Sequence, residues 1–301
     1  MSPRITPTHF AQQPGWQLSV GPARLQISAQ GAQILTYQLA EQAPIIWLSD
    51  LAEFHSNSSA RGGIPICWPW FGAIERNPQA VQQMTHAQAP FHGLARLQRW
   101  QLLSQATTAD SACLVLQLDT QAAPLADWPH AACLTLEVVL TAEQLSLQLT
   151  TDNLGPKQLH LSQALHSYFA VSAIQQVEVT GLENCHYIET LAHWQTRQQT
   201  GVLRLDGETD RIYLQPASTL QIVDKLWQRR IQLHSQHSHS AVVWNPGPDR
   251  AQQLSQFDPA AWPQMLCIET ANIWDDCLSL APGASHSLDL IIECQSLSAT
   301  N

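Results

Sequence analysis

The chain has 301 residues, of which 45% are apolar and 13% are charged, and its formal net charge at pH 7 is -10. A chain of this length can bury a large core, and because no segment resembles a linker we expect one domain spanning residues 1–301. The acidic balance, with only Lys157 and Lys225 as lysines, argues against a nucleic-acid partner, since a phosphate backbone needs a basic protein face.

The terminal segment and the cysteines indicate where the protein works. Residues 1–16 contain three prolines and no continuous apolar run, so we expect neither a signal peptide nor a membrane anchor. No later run approaches membrane-spanning length. The seven cysteines are odd in number and form no CxxC pair, which argues against a disulfide framework and against a zinc site. We therefore expect a cytoplasmic protein with no membrane partner.

Apolar residues alternate with polar ones along most of the chain, which predicts strands with one buried face. The alternating segments, in chain order, are 18–20, 25–27, 114–118, 134–140, 145–149, 212–214, 231–244 and 288–294. The short connection 141–144 predicts an antiparallel hairpin between two of them. Short helical turns are expected near 123–132 and 251–261. This pattern predicts an all-β fold, a large antiparallel β-sandwich.

Residues 61–72, RGGIPICWPWFG, are the most informative segment of the chain. Arg61 offers a planar fork of donors that suits phosphate oxygens, and the two glycines after it permit close approach of a ligand to the backbone. The aromatic residues present flat faces that suit a sugar; they are Trp68, Trp70 and Phe71. A turn beside buried aromatic residues explains the same segment equally well.

Four further segments place ionisable residues inside apolar or aromatic sequence, where burial is costly unless these groups have partners or a function. They are 90–96 (PFHGLAR), 164–169 (ALHSYF), 208–213 (ETDRIY) and 265–271 (MLCIETA). Glu269 is either on the solvent face of an edge strand or held in a pocket. His166 is either a satisfied core histidine or a functional one.

The ordered motifs RGGIPICWPWFG, HGLAR, ALHSYF, ETDRIYL, VVWNPGP and LCIETA resemble those of the hexose-phosphate mutarotases. These enzymes, also called glucose-6-phosphate 1-epimerases, belong to the aldose 1-epimerase superfamily. The resemblance extends from Arg61 to Ala271. It implies a galactose-mutarotase-like β-sandwich that interconverts the α and β anomers of a hexose 6-phosphate, most simply glucose 6-phosphate, without a cofactor.

The resemblance also implies roles for individual residues. Glu269 is the expected general base towards the anomeric hydroxyl, and His166 is the expected general acid towards the ring oxygen. His92 is expected to stabilise charge near the reacting centre, and Asp210 to bind sugar hydroxyls.

Several arginines and aromatic residues are candidates for the rest of the substrate. Arg61 and Arg96 are the preferred phosphate ligands, whereas Arg99 and Arg211 are weaker candidates. Trp70 and Phe71 are expected against the sugar. Trp244 either lines the pocket or only ends a strand, and Tyr168 and Phe169 are expected to be packing residues.

Three alternatives to a sugar-phosphate mutarotase remain at this stage. The chain could be a non-catalytic module that binds a sugar phosphate, or a mutarotase of free aldoses. It could also be a metal-assisted enzyme that uses His234, His237 and His239, but no acidic or thiol ligand follows at a suitable spacing, so we predict no metal. We expect a monomer, although exposed strand edges permit a dimer.

Overall fold

The computed structural model describes residues 2–85 and 89–297. Strands dominate these residues because apolar side chains alternate along them, for example in the pattern of buried and half-buried residues between 111 and 119. The strands are β1 (Arg4–Phe10), β2 (Gln13–Val20), β3 (Ala23–Ser28), β4 (Ile34–Leu39), β5 (Ile66–Cys67), β6 (Gln101–Thr107), β7 (Ser111–Asp119), β8 (Ala132–Thr141), β9 (Gln144–Asn153), β10 (Leu159–Leu161), β11 (Gln163–Leu165), β12 (Tyr168–Ala170), β13 (Val177–Thr180), β14 (His186–Glu189), β15 (Gln195–Gln198), β16 (Thr209–Leu214), β17 (Thr219–Asp224), β18 (Arg229–Gln236), β19 (Ser240–Asn245), β20 (Met265–Asn272), β21 (Leu278–Leu280) and β22 (Ser285–Ser296).

Two eight-stranded sheets form the body of the molecule, and their strand pairs are antiparallel. The site sheet has the order β15-β14-β16-β19-β20-β11-β5, and β12 also pairs with β20. The back sheet has the order β13-β17-β18-β22-β9-β8-β7-β6. A four-stranded sheet, β1 to β4, and the pair β10-β21 complete the strands. The predicted all-β sandwich is confirmed, as is the hairpin of β8 and β9.

The main core lies between these layers and is continuous across them. Val243 and Ile268 enter it from the site sheet, and Leu147 and Leu290 enter it from the back sheet. On the site sheet the residues that alternate with this inner set face the other way. They include Val242 and Ala271, which form a smaller buried cluster on the outer face. That outer face carries the candidate site.

The helices are few and short. The α-helices among the described residues are α1 (Gln79–Gln82) and α2 (Gly247–Ala251), and 3-10 turns occupy 74–76, 95–97, 174–176, 190–192, 259–264 and 274–276. The helical turn expected over 123–132 is wrong. Pro124 and Pro129 lack amide protons there, and Trp128 is buried in the core against Trp68, with 4.6 Å between ring centroids. The helical turns expected near 251–261 are present as the end of α2 and the 3-10 turn at 259–264.

None of the helices in the described residues is long and apolar enough to cross a membrane.

Candidate active site

A cavity of about 490 Å³ opens on the outer face of the site sheet. Its floor is formed by strand residues of this face, and its rim is formed by loops. The lining residues are Asn57, Ser58, Ser59, Ala60, Arg61, Pro65, Cys67, Phe71, Phe91, His92, Arg96, Leu97, His166, Tyr168, Glu208, Asp210, Val242, Trp244, Arg250, Leu254, Ser255, Gln256 and Glu269. The cavity is large enough for a small polar ligand and brings together residues from distant segments of the chain.

Glu269 lies in the middle of β20, which is paired on both sides, so the edge-strand alternative is wrong. Val242 is opposite it on β19. The Glu269 side chain is buried in the cavity floor, and Oε2 has no hydrogen-bond partner among the described residues. Burial raises the pKa of Glu269 well above its usual value, and the charge of Asp210 raises it further.

His166 occupies the break between β11 and β12, both of which pair with β20. Its backbone N–H donates to the carbonyl oxygen of Pro65 at 3.0 Å, which holds the chain at this break. The ring therefore projects beside Glu269, with Nε2 3.4 Å from Oε1. Nδ1 is buried without a hydrogen-bond partner in the described part of the chain. Burial lowers the pKa of His166 to about 3, and the positive charges of Arg61 and Arg96 contribute to this shift.

The opposite pKa shifts of these two groups have one physical cause, because burial penalises the imidazolium and the carboxylate alike. A neutral imidazole beside a carboxylic acid and an imidazolium beside a carboxylate carry the same total number of protons. The pair can therefore exchange between acid and base roles without a net change in protonation.

His92 is oriented by the backbone of the aromatic segment. Its Nδ1 lies 3.1 Å from the backbone nitrogen of Gly72 and accepts that N–H. Burial lowers the pKa of His92 well below its usual value, with smaller contributions from His166, Arg96 and Arg61, so the ring is neutral. A neutral ring that accepts at Nδ1 carries its proton on Nε2. His92 is therefore a hydrogen-bond donor at the cavity.

Asp210, on β16, also faces the cavity, and Trp244 is opposite it on β19. Burial raises the pKa of Asp210 to about 6; a hydrogen bond from Thr190 opposes the shift, and the charges of Glu189 and Glu208 add to it. Asp210 is thus ionised near neutral pH and can accept hydrogen bonds from hydroxyl groups.

Arg61 and Arg96 both line the cavity, as predicted for a shared ligand site. Arg61 donates through Nε to the carbonyl oxygen of Ser255 at 3.3 Å and through Nη1 to the hydroxyl oxygen of Tyr168 at 3.4 Å. Arg96 donates through Nη2 to the carbonyl oxygen of Phe91. Its Nε is buried and has no hydrogen-bond partner among the described residues.

Residues 16–293 match the sequence profile of the aldose 1-epimerase family. The chain belongs to this family. A protein from Escherichia coli (strain K12) named "Putative glucose-6-phosphate 1-epimerase" is 31% identical over 243 residues, which cover 80% of this chain and 77% of that protein.

Solved structures show the same fold. A crystal structure from Salmonella typhimurium, described as a "putative mutarotase", has a TM-score of 0.87 at 24% identity and covers 97% of this chain and 94% of that one. A galactose 1-epimerase from Lactobacillus acidophilus has a TM-score of 0.73 at 12% identity and covers 99% of this chain and 100% of that one. The resemblance drawn from the motifs is confirmed, as are the galactose-mutarotase-like fold and the assignment to the epimerases.

In this epimerase the aromatic segment 61–72 divides between core and cavity. Phe71 lines the cavity, as expected. Trp70 does not. Its side chain is buried in the main core, and its Nε1 donates to the carbonyl oxygen of Pro90 at 2.8 Å, so Trp70 is a packing residue and does not face the cavity. Trp68 lies in the same core.

Gly62 and Gly63 accommodate the close approach of the protein's own backbone. A Cβ atom on Gly63 would lie 2.1 Å from the carbonyl oxygen of Ile34, and one on Gly62 would lie 2.7 Å from that of Trp47. Both glycines also have positive φ, which other residues rarely adopt. Their lack of a side chain lets the segment after Arg61 pack directly against the backbone at Ile34 and Trp47.

The weaker arginine candidates do not reach the cavity. Arg99 is exposed and is absent from the lining. Arg211 pairs with Glu189 at 2.8 Å and lies over the ring of Tyr187, and it is also absent from the lining.

Several lining side chains were missed or left open by the sequence. Trp244 lines the cavity, and so does Tyr168, which was expected only to pack. Phe169, its neighbour, is buried in the core as expected. Arg250 reaches the rim from α2. Its proximity to the motif VVWNPGP was the only signal for it, because α2 meets the site through tertiary structure.

The three histidines considered for a metal lie elsewhere. His234 contacts the hydroxyl of Thr219 at 2.8 Å, and His237 contacts Asp289 at 2.7 Å. No group of three or more potential metal ligands occurs within residues 2–85 and 89–297. The absence of a metal from the reaction stays a prediction.

Proposed function

We propose that the protein interconverts the α and β anomers of a hexose 6-phosphate, with glucose 6-phosphate as the preferred substrate. The observation that carries the proposal is the pair of Glu269 and His166, whose Oε1 and Nε2 lie 3.4 Å apart in a cavity rimmed by arginines. The anomeric hydroxyl and the ring oxygen are bonded to the same carbon, C1. Two side chains that lie next to each other can therefore serve both oxygens.

Ring opening requires one proton to leave and one to arrive. Glu269 as the carboxylate removes the proton of the anomeric hydroxyl, and His166 as the imidazolium protonates the ring oxygen. The bond between C1 and the ring oxygen breaks, which gives the open-chain aldehyde. After rotation about the bond between C1 and C2, the ring closes on the other face of the aldehyde with both proton transfers reversed. The pair then holds one proton again.

Two further residues support this step. His92 carries its proton on Nε2 and can donate a hydrogen bond to an oxygen on which negative charge develops. Asp210, when ionised, accepts hydrogen bonds from ring hydroxyls and so holds the sugar with its C1 beside Glu269 and His166.

The phosphate is assigned to the rim that carries Arg61 and Arg96. These cations are concentrated at the cavity of a chain whose net charge is -10, which favours an anionic ligand there. Arg96 lines the cavity, and its guanidinium group can bind two phosphate oxygens at once. The name of the Escherichia coli relative, which specifies glucose 6-phosphate, supports the same substrate. The cytoplasm fits this assignment, because all seven cysteines are free thiols.

The test is anomer exchange of glucose 6-phosphate followed by NMR saturation transfer, with free glucose in a parallel sample. We expect acceleration by the wild type and its loss in Glu269→Gln and His166→Ala. Acceleration of glucose alone would favour a mutarotase of free aldoses. Chemical-shift changes on the phosphosugar without acceleration would favour a binding module.

A further inference from the structure

The ring of His166 is stacked on a neighbouring aromatic ring. A catalytic imidazole is commonly held by a hydrogen bond to its second ring nitrogen. In His166 that nitrogen, Nδ1, is buried and has no partner in the described part of the chain. The ring of Tyr168 instead lies parallel to the imidazole, with 4.8 Å between centroids and 7° between planes. His92 and Trp244 contact it only edge-on.

The same tyrosine reaches the phosphate rim with its other end. Its hydroxyl oxygen accepts a hydrogen bond from Nη1 of Arg61 at 3.4 Å, and the tyrosine side chain is buried. Trp47 packs against Tyr168 with 5.9 Å between centroids and 23° between planes. Tyr168 therefore connects a cation of the rim directly to the imidazole ring. The contact at 3.4 Å is long for a hydrogen bond, so it can shorten when the guanidinium is held in place.

Resting on the proposed function, we propose that the substrate's phosphate activates the enzyme as well as anchoring the sugar. An anion bound at Arg61 fixes the guanidinium against the Tyr168 hydroxyl, and Tyr168 then holds the imidazole of His166 in line with the ring oxygen. Tyr168 is thus a positioning residue. Binding energy from a group remote from C1 is used to accelerate proton transfer at C1.

The charges around His166 act in the same direction. Arg61 and Arg96 contribute to the lowered pKa of His166, so an anion between them weakens that contribution and favours the imidazolium needed to protonate the ring oxygen. The other ionisable groups that face this ring are His92, Glu269 and Tyr168, with Asp210 behind Glu269. None of them adds a positive charge, because His92 is neutral.

The experiment separates the phosphate from the sugar. Xylose is glucose without its sixth carbon, so it cannot carry the 6-phosphate. Anomer exchange of xylose is measured with and without inorganic sulfate, a divalent anion that does not take part in proton transfer near neutral pH. Sodium chloride at matched ionic strength is the reference. We expect sulfate to raise the wild-type kcat for xylose at least tenfold while KM changes less than threefold.

Two variants test the link through Tyr168. Tyr168→Phe keeps the ring and removes the hydroxyl, and we expect the ratio of rates with and without sulfate to fall to within twofold of one. Arg61→Lys keeps the positive charge and removes the guanidinium group that contacts the Tyr168 hydroxyl. We expect this variant to lose activation by sulfate to the same extent. Tyr213→Phe is the matched control. It also removes a buried tyrosine hydroxyl, which donates to Oε1 of Gln199 at 2.8 Å, but Tyr213 does not line the cavity. Its activation ratio should equal that of the wild type.

Each outcome has one meaning when glucose 6-phosphate is measured beside xylose. A wild type that accelerates glucose 6-phosphate but is not activated by sulfate overturns this inference and leaves the proposed function standing. Equal activation in the wild type and Tyr168→Phe also overturns it. A wild type that does not accelerate glucose 6-phosphate contradicts the proposed function itself. Circular dichroism and melting curves verify that Tyr168→Phe is folded before its ratio is compared.

Discussion

Asp210 and Glu269 face the same cavity from β16 and β20, and the negative charge of Asp210 adds to burial in raising the pKa of Glu269. The two acids are therefore coupled, although only Glu269 is assigned to proton transfer. Removing the charge of Asp210 should lower the pKa of Glu269 towards its usual value. We expect NMR titration of a side-chain carbon of Glu269 to show this downward shift in Asp210→Asn. An unchanged titration would contradict the coupling.

Asp210 should also produce an acid limb in the pH profile. Its raised pKa, about 6, means that it is ionised above this pH and protonated below it. We expect kcat/KM for glucose 6-phosphate to fall as the pH falls through about 6, because a protonated Asp210 loses its charge as an acceptor. The substrate's own phosphate titrates near pH 6 as well. Comparing the pH profiles of the wild type and Asp210→Asn separates the two groups. The variant should be less active, and its profile should show only the acid limb that is caused by the substrate's phosphate.

The same group should cost stability at neutral pH. The pKa of Asp210 is about 6 in the folded state and 3.8 in the reference state, so its ionisation destabilises the folded protein as the pH rises through this window. Asp210→Asn should therefore raise the free energy of unfolding by about 1–3 kcal/mol at pH 7. The difference should shrink towards pH 4. Urea unfolding at both pH values measures it, and a difference that grows towards pH 4 would have the wrong sign.

Glu269→Gln should separate activity from stability. We expect kcat to fall by about 10²–10⁴-fold, because the amide cannot accept the proton of the anomeric hydroxyl. The melting temperature at pH 7 should rise, since the variant removes a buried acid whose ionisation opposes folding. A variant that is both less active and less stable would indicate a structural role for this carboxyl group.

Arg61 and Arg96 should act mainly on the phosphosugar. Replacing either with Ala removes charge-assisted hydrogen bonds, each of which contributes about 1.5–3 kcal/mol, and so should reduce kcat/KM for glucose 6-phosphate about 10-fold to 100-fold. Free glucose should be affected much less. Arg99→Ala is the control, because Arg99 lies close in sequence but outside the cavity. Equal losses on both sugars would refute a phosphate role.

Gly93 tests how the backbone places His92. A Cβ atom there would lie 2.2 Å from the carbonyl oxygen of Trp68, and φ is +73°. We expect Gly93→Ala to lower the free energy of unfolding by more than about 3 kcal/mol, well beyond the ~1–2 kcal/mol of the left-handed conformation alone. Gly201→Ala is the matched control, because it has φ +64° and open space around it. Similar losses in both variants would mean that the clash is relieved cheaply.

The sequence by itself determined the strand-rich class of the fold, because a two-residue period is a local property that tertiary contacts seldom reverse. It also indicated several of the ionisable residues that line the cavity. An acid such as Glu269 inside a run of apolar residues and a histidine such as His166 inside an aromatic motif are visible without coordinates. The order of six motifs then identified the family. Helical turns were less reliable, since the prolines at 124 and 129 and the burial of Trp128 decided that segment.

Only the tertiary structure decided which residues face the cavity and which face the core. Trp70 and Phe71 are neighbours in one motif, yet one is in the core and the other lines the site, because successive residues point in different directions. Tyr168 reaches the cavity from the first residue of β12 and Arg250 from α2, and no local pattern relates either position to the site. The separation of 3.4 Å between His166 and Glu269 arises from pairing of strands about a hundred residues apart in sequence. Chemistry of this kind depends on long-range register, which a single sequence does not specify.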